Sequence, residues 1–171
     1  MRRPTNRDTL WRAVAEMTLG VTVQHAYAWS MMWSRLPNKA QTAMYRGDQV
    51  LKQLRSDLEA EMFQRGGPQD ITVFYPRNRE PGRRYPQPIH IGGRYPALPE
   101  QEWREIAEEV DKCTASMDVL IKFLSGHVGA KILDRAIKYQ DIILREKMAL
   151  EPYARKHIGF WSVLYPRGGV P

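Results

Sequence analysis

Residues 66–99 form a segment rich in arginine, glycine and proline, and they separate two parts of the chain that have the apolar spacing of helices. Proline cannot supply the backbone N–H that a helix needs, and glycine has a low helix propensity, so no single helix can run through this segment. At about thirty residues, the segment is longer than loops usually are when they lack structure of their own. The chain is therefore predicted to fold as two helical halves joined by an insertion that needs its own explanation.

The first half predicts two antiparallel helices, residues 6–36 and 39–64. Apolar side chains recur in both at steps of three and four residues, and the first helix carries a second apolar stripe beside the first. Pro37 ends the first helix, and the Arg-Gly-Gly sequence at residues 65–67 is typical of a helix end. Gly47 lies inside the second predicted helix, where it indicates a bend.

The second half predicts helices at residues 99–125 and 130–150. The first of these begins with Pro99 and several glutamates, residue types that favour a first turn, and its apolar spacing is unbroken. Pro152 is expected to end or restart the other. Because 43% of the 171 residues are apolar, the chain can fill a core. We therefore predict a mainly α fold, one domain spanning residues 1–171, in which two helical hairpins pack like a four-helix bundle around a long crossover.

The crossover itself contains two stretches with the composition of β-strands. Residues 71–75 are mostly β-branched and aromatic, and residues 88–92 have a similar apolar character. The Glu-Pro-Gly sequence at residues 80–82 between them is a turn signal. This pattern predicts a short two-stranded β-ribbon that protrudes from the helices.

Positive charge is concentrated in the same crossover. The chain has a formal net charge of +7, and residues 65–99 hold six Lys or Arg but only two Asp or Glu. Guanidinium groups bind phosphates, and tyrosine rings stack on bases. The segment therefore favours a contact with RNA or DNA, for which the candidate residues are Arg77, Arg79, Arg83, Arg84, Tyr85 and Arg94. The alternative is a solvated loop whose arginines pair with the acids of neighbouring helices.

A second function class uses the same surface for protein partners. In this hypothesis the chain is a structural subunit or an inhibitor, and its crossover and aromatic C-terminal segment dock on other chains. The candidate residues are Tyr95, Phe160, Trp161, Tyr165 and Arg167. A homo-oligomer also fits, because the helix at residues 6–36 is apolar on more than one side.

The sequence contains no recognisable catalytic or metal motif. The four histidines are far apart, and none has a second ligand at metal-binding spacing. His25 lies near the apolar stripe of its helix, where a hydrogen-bonded structural imidazole is expected. Cys113 is the single cysteine, which excludes an internal disulfide and predicts a small core residue. We therefore predict a protein that is not an enzyme and has neither cofactor nor metal.

The first helix also resembles a membrane span, because Glu16 is its only formal charge between Arg12 and Arg35. Several polar side chains are spread along this stretch, however, and they favour a helix buried inside a protein. We therefore expect no membrane span, and a cytoplasmic protein.

Overall fold

The computed structural model describes residues 6–32, 38–75 and 97–165, and every regular element within them is helical. The predicted mainly α bundle is confirmed. A single 3₁₀ turn, Ser162–Leu164, follows the last helix. The four α-helices are α1 (Asn6–Met32), α2 (Asn38–Gln64), α3 (Glu100–Leu124) and α4 (Ala130–Ile158).

The helices form a bundle in which α1 packs mainly on α3, and α2 packs mainly on α4. Helix α3 also lies beside α4, and α1 touches α2 less extensively. Contacts between side chains of different helices show in which direction each helix runs relative to its neighbours. Gln24 of α1 accepts a hydrogen bond from Ser116 of α3 at 3.0 Å, and Asp57 of α2 pairs with Arg135 of α4 at 2.6 Å. Together with the contacts between helix ends, these bonds show that all neighbouring helices are antiparallel. Helices α1 and α4 lie diagonally opposite each other in the bundle.

This arrangement accounts for the long connection between the halves. Helices α1 and α4 begin at one end of the bundle, which we call the basal end, and α2 and α3 finish there. Because α2 and α3 run in the same direction, the chain that leaves α2 at the basal end must return to the opposite end before α3 begins. A tight turn cannot span the length of a helix, so a long crossover is required.

The core is filled from all four helices and from both ends of the crossover. Ten of its large, fully buried side chains are Met44, Leu51, Leu54, Leu58, Met62, Phe74, Leu98, Trp103, Ile106 and Tyr139. No helix in the described part of the chain is long and apolar enough to cross a membrane.

The predicted β-ribbon is wrong for its first strand, because residues 71–75 form turns. One carboxylate oxygen of Asp70 accepts hydrogen bonds from the backbone N–H of Thr72 at 2.8 Å and from its hydroxyl at 2.7 Å. A local bond of this kind competes with strand pairing. The carbonyl of Phe74 is also engaged, because Arg55 donates to it. The second predicted strand, residues 88–92, lies outside the described residues.

One helix end differs from the prediction, and another lies outside the described residues. Helix α4 does not end at residue 150 but continues through Pro152 to Ile158, where Gly159 in a left-handed conformation ends it. An internal proline costs about 3 kcal/mol, and burial of Leu150 and Ala154 offsets that cost. Helix α1 is described as far as Met32, and the last residues of the predicted helix, 33–36, lie outside the described range.

Candidate functional site

Most of the residues that the sequence nominates for binding lie outside the described residues. This is true of Arg77, Arg79, Arg83, Arg84, Tyr85 and Arg94, and also of Tyr95 and Arg167. What the structure does describe is the pair of points at which this arginine-rich segment leaves the bundle and rejoins it.

The first of these points is the side of α2. Phe74 is buried, and the Nε of Arg55 donates a hydrogen bond to its carbonyl at 2.7 Å. The same guanidinium group lies 3.9 Å from the centre of the Tyr75 ring, in cation–π geometry. Burial raises the pKa of Tyr75 above its usual value, although the positive charge of Arg55 opposes this. The chain is therefore tied to α2 just before the arginine-rich residues begin.

The second point is the start of α3, at the other end of the bundle. The backbone N–H of Leu98 donates to Nδ1 of His157 at 3.1 Å, and the imidazole ring lies 5.7 Å from the ring of Trp103. An N–H donor requires an acceptor, so Nδ1 carries no proton in this arrangement. Burial lowers the pKa of His157, and the nearby charge of Lys156 lowers it further. A neutral His157 thus fixes the chain where it rejoins the bundle.

A cleft at the basal end brings together basic residues that are far apart in the sequence. Its lining is formed by Arg7, Leu10, Trp11, Arg65, Gly126 and His127. Arg7 donates a hydrogen bond from Nη1 to the carbonyl of Arg65 at 2.8 Å, although 58 positions separate the two residues. We call this surface the basal cleft.

The end of α2 builds one wall of the basal cleft. Gly66 has a positive φ of 68°, and the N–H of Gly67 donates to the carbonyl of Met62 at 2.8 Å, as in a Schellman helix end. The predicted helix end at residues 65–67 is therefore confirmed. Gly67 is packed so closely that an added Cβ would lie 2.7 Å from Trp11. This close approach brings Arg65 beside α1.

A second polar cluster lies inside the bundle, where the sequence indicates only an isolated histidine. His25 of α1 and Glu146 of α4 are both 3% exposed, and the imidazole Nε2 lies 3.1 and 3.3 Å from the two carboxylate oxygens. The pair crosses the diagonal of the bundle. Burial raises the pKa of Glu146, and the hydrogen bond and charge of His25 oppose this rise. The expected hydrogen-bonded role of His25 is thus present in the structure.

Gly47 of α2 leaves the room for this pair. A Cβ at this position would overlap the carboxylate of Glu146 and would lie 2.9 Å from Nε2 of His25. The sequence shows only a glycine in a helix, for which a bend is one explanation. The structure provides another explanation, which is the close approach of the buried, hydrogen-bonded His25–Glu146 pair to the helix backbone.

The neighbours of this pair do not supply a reactive group. Burial raises the pKa of the Cys113 thiol, and the charges of Glu146 and Glu109 raise it further, so the thiol stays protonated. Burial likewise raises the pKa of Tyr139 well above its usual value. Within the described ranges, no group of three His, Cys, Asp or Glu side chains could hold a metal ion. The cluster is best understood as a polar part of the core.

The aromatic C-terminal segment packs largely on its own bundle. The hydroxyl of Tyr165 donates to Glu151 at 2.6 Å, and its ring meets Trp161 edge to face. Val163 and Leu164 between them are buried. Phe160 remains 36% exposed, so of the predicted partner-binding residues in this segment it offers the clearest apolar surface.

Comparisons of the chain with protein-family models, curated proteins and solved structures found no match.

Proposed function

We propose that the protein is a non-catalytic, basic helical subunit of a nucleoprotein assembly. It contacts RNA or DNA phosphates through the arginine-rich crossover, with Arg77, Arg79, Arg83, Arg84 and Arg94 as the cationic groups and Tyr85 as a stacking ring. The observation that carries this proposal is the charge distribution. Residues 66–99 hold five arginines and only two acidic residues, so the crossover carries three of the seven net positive charges.

The way in which the crossover is attached supports this proposal. Arg55 holds the chain at Phe74, and His157 holds it at Leu98. Both ends of the arginine-rich segment are therefore fixed on a packed bundle. Fixing a binding segment in advance lowers the conformational entropy that it loses when a ligand binds.

Replacing Arg77, Arg79, Arg83 and Arg84 by alanine tests the proposal directly. We expect the variant to lose retention of a single-stranded oligonucleotide in a gel-shift assay, because phosphate contacts dominate sequence-independent binding. The matched control replaces four exposed basic residues of α3 and α4 by alanine, namely Arg104, Lys122, Lys138 and Arg145. Both variants fall from a net charge of +7 to +3, since each loses four positive charges. Equal retention by the two variants would exclude a specific role for the crossover.

A second proposal is a protein-binding subunit or inhibitor that docks on partner chains. The exposed ring of Phe160 at the end of the bundle favours it, although Tyr165 is engaged internally. Pull-down of the tagged protein with and without nuclease distinguishes the two functions. A partner held through nucleic acid is lost on digestion, whereas one bound directly through Phe160 is retained and is lost in Phe160→Ala.

A further inference from the structure

We propose that the basal cleft is a second phosphate-binding surface, which contacts the backbone of the same nucleic acid that the crossover binds. This inference rests on the proposed function and extends it to residues outside the crossover. The cleft combines the guanidinium groups of Arg7 and Arg65 with the imidazole of His127, and among the described residues that line it none is acidic.

The hydrogen bonds of the two arginines leave donors available for a ligand. A guanidinium group has five N–H donors. Arg7 uses Nη1 for the carbonyl of Arg65, and Arg65 uses Nε for the carboxylate of Glu61 at 2.6 Å. Both side chains are exposed. The existing bonds therefore orient the two groups beside each other, while further N–H groups of each remain for phosphate oxygens.

The helix ends at the cleft add no net potential, because the positive N-termini of α1 and α4 lie beside the negative C-termini of α2 and α3. The positive charge of the cleft therefore comes from the guanidinium groups of Arg7 and Arg65. The nearest carboxylate, Glu61, is already shared, because its Oε1 accepts from Arg65 and from the backbone N–H of Gly129 at 3.1 Å. Its negative charge is thus partly compensated by groups of the protein itself.

The described lining of the cleft favours a phosphate over a base. Trp11 is only 2% exposed, so its face is not accessible for stacking, and the ring of His127 already stacks on Phe123, with 5.9 Å between the ring centres. The guanidinium contacts of the cleft therefore position the nucleic-acid backbone and do not select a sequence. The expected ligand is therefore the phosphodiester backbone of RNA or DNA, without sequence preference.

The test compares the double variant Arg7→Gln, Arg65→Gln with the double variant Arg104→Gln, Arg145→Gln. Arg104 is a close match for Arg65, because it too is exposed and pairs with a glutamate four residues earlier, but it lies at the opposite end of the bundle. Binding of a fluorescent single strand of about 20 nucleotides is measured by anisotropy over a range of salt concentrations, with circular dichroism to check that each variant is folded.

Loss of one or two phosphate contacts lowers the slope of log K against log salt by about 0.7 to 1.4. At about 0.1 M salt this corresponds to a loss of affinity of about 5-fold to 25-fold. We expect this loss for the basal variant and not for the control. If the double variant unfolds, the same binding measurement is made with Arg65→Gln alone, because this substitution removes only an exposed ion pair with Glu61 from the fold.

Equal affinity and equal salt slope in the basal and control variants would overturn the role of the basal cleft while leaving the crossover in place. Failure of the unaltered protein to bind the strand at low salt would instead overturn the proposed function, and with it this inference.

Discussion

At Gly47, a single methyl group decides whether the bundle can keep the buried hydrogen bond between His25 and Glu146. A Cβ there would overlap the Glu146 carboxylate, so we expect Gly47→Ala to lower the free energy of unfolding by about 1–3 kcal/mol. This loss would occur although alanine favours helices. Gly20→Ala in α1 is the control, because among the described residues no atom beyond its own turns of helix lies within 4 Å of the added Cβ, and it should gain about 0.5–1 kcal/mol. Urea unfolding of both variants tests this, and a stabilised Gly47→Ala would contradict it.

Glu146 makes the stability depend on pH in a definite direction. Burial raises its pKa above the ordinary 4.5, so the folded protein binds this proton more tightly than the unfolded chain. The stabilising contribution is complete below pH 4.5 and is lost as the pH rises through the raised pKa. We expect the stability of the unaltered protein to fall over this interval relative to Glu146→Gln, measured by urea unfolding from pH 4 to 8. Parallel curves would show that Glu146 does not titrate in this way.

The start of α3 should show the opposite dependence. The N–H of Leu98 needs a neutral His157, and burial lowers the pKa of this imidazole from the ordinary 6.5. Its contribution is therefore present above pH 6.5 and is lost as the pH falls through the lowered pKa. We expect the amide of Leu98 to lose protection against hydrogen exchange between pH 7 and 5, while the amide of Leu120, inside α3, stays protected. Constant protection at Leu98 would contradict the bond.

The elements that the sequence predicts well are those governed by local spacing. Helices α2 and α3 lie within one residue of the predicted boundaries at both ends, because an unbroken period of three to four residues gives each of them one apolar face. The elements predicted wrongly depend on other parts of the chain. Arg55 takes the carbonyl that a strand at residue 74 would need, and packing carries α4 past Pro152.

The candidate sites also differ in whether they depend on neighbouring residues or on distant parts of the chain. The charge of the crossover is visible in the sequence, because it is a sum over neighbouring residues. The basal cleft is not visible, since Arg7 and Arg65 meet only when α1 begins where α2 ends. The His25–Glu146 pair is separated by 121 positions, and the sequence shows only a histidine near an apolar stripe and a glycine inside another helix, without the carboxylate partner.

In the whole molecule, the helical bundle holds both ends of the basic crossover in place. Helices α2 and α3 run in the same direction, so the connecting chain must pass from one end of the bundle to the other. Phe74 and Leu98 fix that chain to the core on both sides. The proposed nucleic-acid contacts therefore belong to the crossover and to the basal cleft, and the interior keeps the bundle folded.

The most direct test of this account is what the protein carries when it is purified at low salt without nuclease. We predict an absorbance at 260 nm, relative to 280 nm, well above that expected from its five tryptophans and eight tyrosines, and a return to that value after a high-salt wash. The variant without Arg77, Arg79, Arg83 and Arg84 should show the protein value throughout. A protein that has the ratio of its own aromatic residues at low salt, and that binds no added RNA or DNA, would contradict the account.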